Sequence, residues 1–579
     1  MKISNKLNQI LILFLLFLSK NFYAIEPIAY LNSLGYEPAQ KELASSKNGM
    51  VSTQHFLATE VGERILSRGG NAYDASIAIA FTLAVVLPRA GNIGGGGFMV
   101  IYDSQTQKPY SIDFREKAPQ MSTRDMYLTE DGSFNDMNLS TLGYLASGVP
   151  GTVAGLWDVH QKFGSLPWNE LLEDAIYFAE NGFKITPFLG DILFNYSEAL
   201  SIFPETKKIF QKHYPNFKDK MLIQKDLANT LRIIASQGRE GFYEGQIAKK
   251  IAKDMKNKNG LISSYDLKNY RPIWRNPIKG NFDKYEIITM GPPSSGGIHI
   301  IQMLNILEKF NLKELGHNSA SYGALLSEVM KYAYADRSKY LADPDYFQVP
   351  VAQLISKSYS EKIYNKIALN EITPSSEILP GNLIPHESED TTHFSIADKF
   401  GNVTSNTYTL NSGYGSGVVI EGTGILMNNE MDDFVSAPGV PNQFGLLGGE
   451  ANKIEPFKRP LSSMTPTLVF EEDEPILATG SPGGSVIITA VLQFLLNTLV
   501  FEMEISDATI APRVHQQWGP DILFLEKGFD MNAGKQIESY GQKILISGPR
   551  TSLESLQIKE NLFYGFGDTR RPDSKAKGH

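Results

Sequence analysis

From Thr391 to Leu410 the chain changes character, and that stretch sets the terms for the rest. Residues 370–390 are rich in Glu, Ser and Pro and poor in apolar side chains, so they read as an exposed segment. From His393 the pattern alternates every two residues. Phe394 and Ile396 fall on one side, and His393, Ser395 and Ala397 on the other. Lys399-Phe400-Gly401 suits a three-residue hairpin loop with Gly401 in the left-handed conformation, and Val403 to Leu410 is the return strand. If Asp398 faces Asn402, Thr391 lies opposite Thr409, with Cβ atoms roughly 5 Å apart on one face. A four-residue loop would slip the register by one and separate them. A Thr at the start of a strand is ordinary. A Thr that becomes a chain terminus gains an α-amine that can act as base for its own hydroxyl. Asp390-Thr391, at the end of the exposed segment, is therefore the candidate point of self-cleavage.

The chain has 579 residues, 42% of them hydrophobic, enough to bury a large core. A net charge of −9 with no long basic run argues against nucleic acid or an anionic membrane as partner. The absence of Cys excludes disulfides, thiolate catalysis and thiolate metal sites together. Residues 1–24 read as a signal peptide: Lys2 and Lys6 precede the apolar run Ile10 to Leu18, and Ala24 offers a small residue for cleavage. Phe22 departs from the small-x-small rule, and an uncleaved anchor is the alternative reading. The expectation is an exported protein, periplasmic or secreted.

Met50 to Thr53 reads as a short strand. Ala75 to Leu87 is apolar on every side, so it is a buried helix, capped by Asn71 or Asp74 and stopped by Pro88. Gly94 to Gly97 lacks a following Gly-Lys-Ser/Thr and enters a strand, Phe98 to Tyr102. It is a site of close backbone packing or a tight turn, not a phosphate loop. Ser111 to Glu116 reads as a second strand. On local sequence Arg115 is a salt-bridged arginine; its functional reading is a fork for a carboxylate.

Residues 148 to about 380 read as mostly helical, with helices at Trp168–Asn181, Lys225–Gln237, Gly245–Lys256 and Ile298–Phe310. Ala342-Asp343-Pro344-Asp345 is explained by a Pro-centred turn without a metal. Beyond the hairpin, the Gly- and Pro-rich residues 438–449, with Phe444 among them, suit a lid. Gly480 to Ser485 is a turn into a helix at Val486–Leu499. Its backbone N–H groups suit an oxyanion, although turn geometry explains the glycines equally well.

Seven segments in order resemble the γ-glutamyltranspeptidase family of N-terminal nucleophile (Ntn) hydrolases. They are Gly95-Gly96-Gly97-Phe98-Met99, Asp113-Phe114-Arg115-Glu116, Thr391 to Ser395, Thr407-Tyr408-Thr409-Leu410-Asn411, Asn428 to Phe434, Ser462-Ser463-Met464-Thr465-Pro466 and Gly480-Ser481-Pro482-Gly483-Gly484. Each is weak alone, but seven in order are specific. The resemblance implies an α+β fold, a four-layer αββα sandwich built jointly by a large piece, 25–390, and a small piece, 391–579.

It also implies roles. Thr391 is the nucleophile, freed by cleavage after Asp390, and Thr409 is its hydrogen-bond partner. Arg115, Ser462 and Ser463 hold a substrate α-carboxylate, while Asn411, Glu430 and Asp433 hold the α-ammonium. Gly483 and Gly484 serve the oxyanion, and Phe444 closes the lid. Many relatives carry Tyr at the lid position, some have no lid, and position 430 is Gln in some. The implied donors are glutathione and related γ-glutamyl compounds, the acceptors water, amino acids or dipeptides, with no metal or organic cofactor. Two alternatives stand beside this. One is an acylase of the same superfamily acting on glutaryl or cephalosporin-type amides, which lack the ammonium that Glu430 and Asp433 suit. The other is an uncleaved, inactive homologue.

Overall fold

The structure is a computed structural model that describes residues 35–131, 138–379, 391–435, 442, 443, 446 and 449–579. Two seven-stranded antiparallel sheets form its centre. The first runs edge to edge through Lys575–Gly578, Gly49–Thr53, Thr392–Asp398, Val403–Thr409, Gly96–Asp103, Lys108–Asp113 and Ile273–Arg275. The second runs through Ala44–Ser46, Leu562–Gly567, Glu554–Lys559, Glu474–Thr479, Thr467–Glu471, Tyr285–Thr289 and Ile278–Phe282. Residues before and after position 391 thus contribute strands to both sheets.

Side-chain alternation explains the layering. In Gly96–Asp103, Met99 and Ile101 join the apolar cluster of the Phe56–Ser67 and Ala72–Val86 helices. Phe98, Val100 and Tyr102 point the other way, where Tyr102 meets Phe470 of the second sheet edge-on at 5.1 Å. The Gly296–Leu307, Ala320–Tyr340 and Val486–Leu499 helices cover the far side of the second sheet. The order is helices, sheet, sheet, helices: the expected αββα sandwich.

The Ala72–Val86 helix is buried along its whole length. Asn71 caps it, accepting from the N–H groups of Tyr73 and Asp74, and the Asp74 carboxylate accepts the Asn71 N–H in return. The glycine run packs as expected: a Cβ on Gly95 would overlap the carbonyl oxygen of Thr409, and one on Gly94 that of Leu426. The Asp343-Pro344-Asp345 turn is held by arginine, with Arg275 pairing to Asp345 at 2.9 Å and Asp343 at 3.7 Å.

Three expectations shift. The second strand ends at Asp113, so Arg115 lies beyond it, with its N–H on Asp113 Oδ1 at 3.0 Å. The segment 168–181 is a 3-10 turn, Trp168–Leu172, followed by a helix, Glu173–Asn181. The Trp168 indole is buried and donates to Ile234 O at 3.0 Å, which holds that turn apart from the helix. The helix expected at Ile298–Phe310 runs Gly296–Leu307. Asp390, Phe444 and residues 1–24 lie outside the described residues, as does most of 438–449.

Candidate active site

The hairpin register places the candidate nucleophile, Thr391. Thr392 pairs with Tyr408 and His393 with Thr407, while Asp398 N–H donates to Asn402 O at 3.1 Å. Gly401 takes φ 88°, as the three-residue loop requires. Thr391 therefore faces Thr409, and their hydroxyl oxygens lie 3.3 Å apart. Thr409 Oγ1 also accepts the Asn411 N–H at 2.8 Å. The Thr391 side chain makes no other hydrogen bond among the described residues, so no described His, Asp or Glu is bonded to it as a base.

The nearest imidazole cannot fill that role. His393 shares the Thr391 face, but its ring nitrogens are taken by Thr407 Oγ1 at 2.8 Å and Ser395 Oγ at 3.0 Å. Burial pushes its pKa down to about 3, so it stays neutral. It is a strut between the sheets, reaching Glu554 O through Ser395.

One chamber brings together Arg115, Arg337, Thr391, Thr409, Asn411, Glu430, Asp433, Leu446, Ser462, Ser463 and Gly484. Arg115 is 1% exposed. One terminal nitrogen bonds Glu430, with Glu116 at 3.7 Å; the other bonds Asp433 at 2.5 Å and Leu461 O at 3.2 Å, and Nε bonds Pro460 O at 3.3 Å. Burial works against the Arg115 charge, yet Glu430, Asp433 and Glu116 outweigh it and raise its pKa. Burial raises the carboxylates too: Glu116 is pushed up to about 7, and Glu430 and Asp433 also rise.

Local backbone explains how the acids reach Arg115. Asn428 spans Gly94 O and Gly148 O, each at 2.8 Å, and accepts the Glu430 N–H at 3.0 Å. The 3-10 turn Glu430–Asp433 then presents both acids. Asn411 sits at φ 79° and donates to Asn429 O at 3.1 Å, leaving its Oδ1 without a donor among the described residues. Ser462 and Ser463 are held against the Gly291–Gly297 turn, with Ser462 N–H on Pro293 O at 2.8 Å.

Gly483 and Gly484 take φ 124° and 53°, conformations that favour glycine, at the start of the Val486–Leu499 helix. Neither backbone N–H is accepted by a described residue. Gly484 lines the same chamber as Thr391.

A γ-glutamyltranspeptidase family model matches residues 58–578. The chain belongs to that family. A glutathione hydrolase proenzyme of Escherichia coli strain K12 is 46% identical over 556 residues, 96% of this chain and 95% of the relative. Among solved structures, a Helicobacter pylori γ-glutamyltranspeptidase is 44% identical with a TM-score of 0.55, covering 59% of this chain and 96% of that one. A cephalosporin acylase from Bacillus halodurans, 24% identical, has a TM-score of 0.82 over 97% of this chain and 99% of that one; it shares the fold.

Of the expected γ-glutamyltranspeptidase residues, all but Asp390, Phe444 and Gly483 line the one chamber, and Gly483 adjoins it through Gly484. Two charged neighbours carried no role in the sequence reading. Glu116 stands within a quoted motif beside Arg115. Arg337 lies on a buried helix, and its only sequence signal is a charge pair, Asp336-Arg337, set among Ala333, Tyr334 and Ala335.

Proposed function

We propose that the chain matures by cleavage between Asp390 and Thr391, and that Thr391 then transfers γ-glutamyl groups. The observation that supports this is the setting of the Thr391 hydroxyl, whose one hydrogen-bond partner among the described residues is Thr409. A nucleophile so placed finds a base in its own α-amine once cleavage frees it.

In the proposed reaction the freed α-amine takes the Thr391 hydroxyl proton as Oγ1 attacks the γ-carbonyl. Charge moves to the carbonyl oxygen, where the Gly483 and Gly484 N–H groups supply donors. The C–N bond breaks, the leaving amine takes the proton, and a γ-glutamyl ester of Thr391 remains. Water or the amine of an amino acid or dipeptide then attacks this ester and regenerates the enzyme. Arg115 with Ser462 and Ser463 suits the α-carboxylate, and Asn411, Glu430 and Asp433 suit the α-ammonium.

The name of the Escherichia coli relative supports glutathione as a donor. The start at residues 1–24 supports export, and among the described residues no helix is long and apolar enough to cross a membrane. The acylase reading is weaker, because a glutaryl group offers no ammonium to Glu430 and Asp433.

N-terminal sequencing of the smaller fragment, together with assay on glutathione, tests the proposal. The expected fragment begins Thr-Thr-His-Phe-Ser. A purified protein that stays a single band after long incubation, or a fragment with another first residue, would sink it.

A further inference from the structure

Arg337 is a buried cation that makes no ion pair among the described residues, although the charge of Asp433 favours it from further off. It lies on the Ala320–Tyr340 helix and is 5% exposed. Its Nε donates to Ser295 Oγ at 3.1 Å and its Nη2 to Ser463 Oγ at 3.2 Å. Its Nη1 donates to no described residue, and no described carboxylate lies within ion-pair distance. Burial lowers its pKa to about 10, so it is charged at neutral pH. A desolvated guanidinium held by two hydroxyls is an expensive arrangement unless an anion joins it.

The bonding of Arg115 points to which anion. Arg115 is already committed: Glu430 and Asp433 hold its terminal nitrogens, Glu116 stands at 3.7 Å, and two carbonyls take further N–H groups. Three carboxyl groups crowd one guanidinium, and both of its terminal nitrogens are taken. A substrate carboxylate arriving at Arg115 alone would have to share N–H donors that other groups already hold. Arg337 borders the same chamber and touches Ser463, one of the two hydroxyls aimed at that carboxylate.

Resting on the γ-glutamyl reading above, we propose that Arg337 is a second guanidinium for the donor's α-carboxylate, meeting it beside Ser463. Arg115 then has two jobs. It contributes to the carboxylate site and keeps Glu430 and Asp433 in place for the ammonium. The zwitterion offers a carboxylate to the guanidinium groups and an ammonium to the acids, so a donor without the α-carboxylate gains nothing from Arg337.

The test uses the mature enzyme and two anilides, γ-glutamyl and 4-aminobutyryl, the second lacking only the α-carboxylate. Denaturing gels first establish that R337Q and R337K mature. R337Q is expected to raise KM for the γ-glutamyl anilide roughly 10- to 100-fold with kcat much less changed. The kcat/KM preference for the γ-glutamyl over the 4-aminobutyryl anilide should fall by the same factor, and by less in R337K, which keeps the charge without the fork. An unchanged preference in matured R337Q overturns the proposal. So does an equal loss on both anilides, or failure of both variants to mature, since Arg337 would then be holding the chamber together. Wild-type protein active on a glutaryl anilide and inactive on the γ-glutamyl one would instead defeat the donor reading itself.

Discussion

Gly480 lies flat against the imidazole of His393, so close that a Cβ would overlap the ring. His393 stands on the Thr392–Asp398 strand, two residues from the proposed nucleophile Thr391, and Gly480 opens the turn that ends in Gly483 and Gly484. The contact therefore lies between the strand that follows Thr391 and the turn proposed to supply the oxyanion donors. Gly480→Ala should push them apart. The expected result is a kcat loss of about 10²-fold and a stability loss of about 1–3 kcal/mol, read by steady-state kinetics and a thermal melt. Wild-type kcat would show that the turn relaxes without moving Thr391.

Thr391→Ala should remain uncut and inactive, because in the proposed reaction both maturation and turnover need its hydroxyl. Thr409→Val keeps the shape of Thr409 and removes its hydroxyl, the one hydrogen-bond partner of Thr391 among the described residues. It should mature slowly and lose about 10- to 10²-fold in kcat. Time courses on denaturing gels and release of anilide check both. If Thr391→Ala matured and released product, the nucleophile would lie elsewhere.

Arg115→Ala should raise KM strongly, and it should also destabilise. Removing the guanidinium strands Glu430 and Asp433, at a cost of about 3–5 kcal/mol when a buried ion pair is broken. Urea titration measures the second effect and donor kinetics the first. Reduced stability with an unaltered KM would make Arg115 a structural salt bridge only.

Glu116 gives a pH signature. Its pKa rises from 4.5 to about 7 in the folded protein, chiefly through burial. The folded state thus holds a proton that the unfolded chain has lost. The associated stability is fully present below pH 4.5 and is lost as pH rises through 7. Glu116→Gln does not titrate, so it should match wild type near pH 4.5 and gain on it up to pH 7, by as much as about 3 kcal/mol. Melting temperatures of both proteins across that range check this; a constant gap would mean that Glu116 ionises normally.

What the sequence disclosed follows from how local each signal is. The hairpin register needed only Gly401 and a two-residue alternation, and the Thr391–Thr409 pairing followed. The Asn71 cap and the buried Ala72–Val86 helix were equally local. The pairing of Arg115 joins residues more than three hundred positions apart, and nothing beside Arg115 announces Glu430 or Asp433. Arg337 was invisible for the same reason: its partner Ser463 lies 126 positions on, and its helix reads as ordinary core. The end of the strand at Asp113 was misjudged because Phe114 continues the apolar alternation, whereas the structure turns there to bring Arg115 into the chamber.

The interleaving of strands from either side of position 391 bears on reversibility. Thr392–Asp398 lies between Val403–Thr409 and Gly49–Thr53, and Tyr285–Thr289 lies beside Thr467–Glu471. As one chain, the protein assembles these pairs by a unimolecular search whatever its concentration. After the proposed cut the same pairs join two molecules, and once they separate, reassembly becomes a second-order encounter that dilution slows. The mature enzyme would then survive by unfolding slowly and not by refolding well. Heat inactivation should be irreversible for the cut form, while the uncut Thr391→Ala chain should recover its fold on cooling.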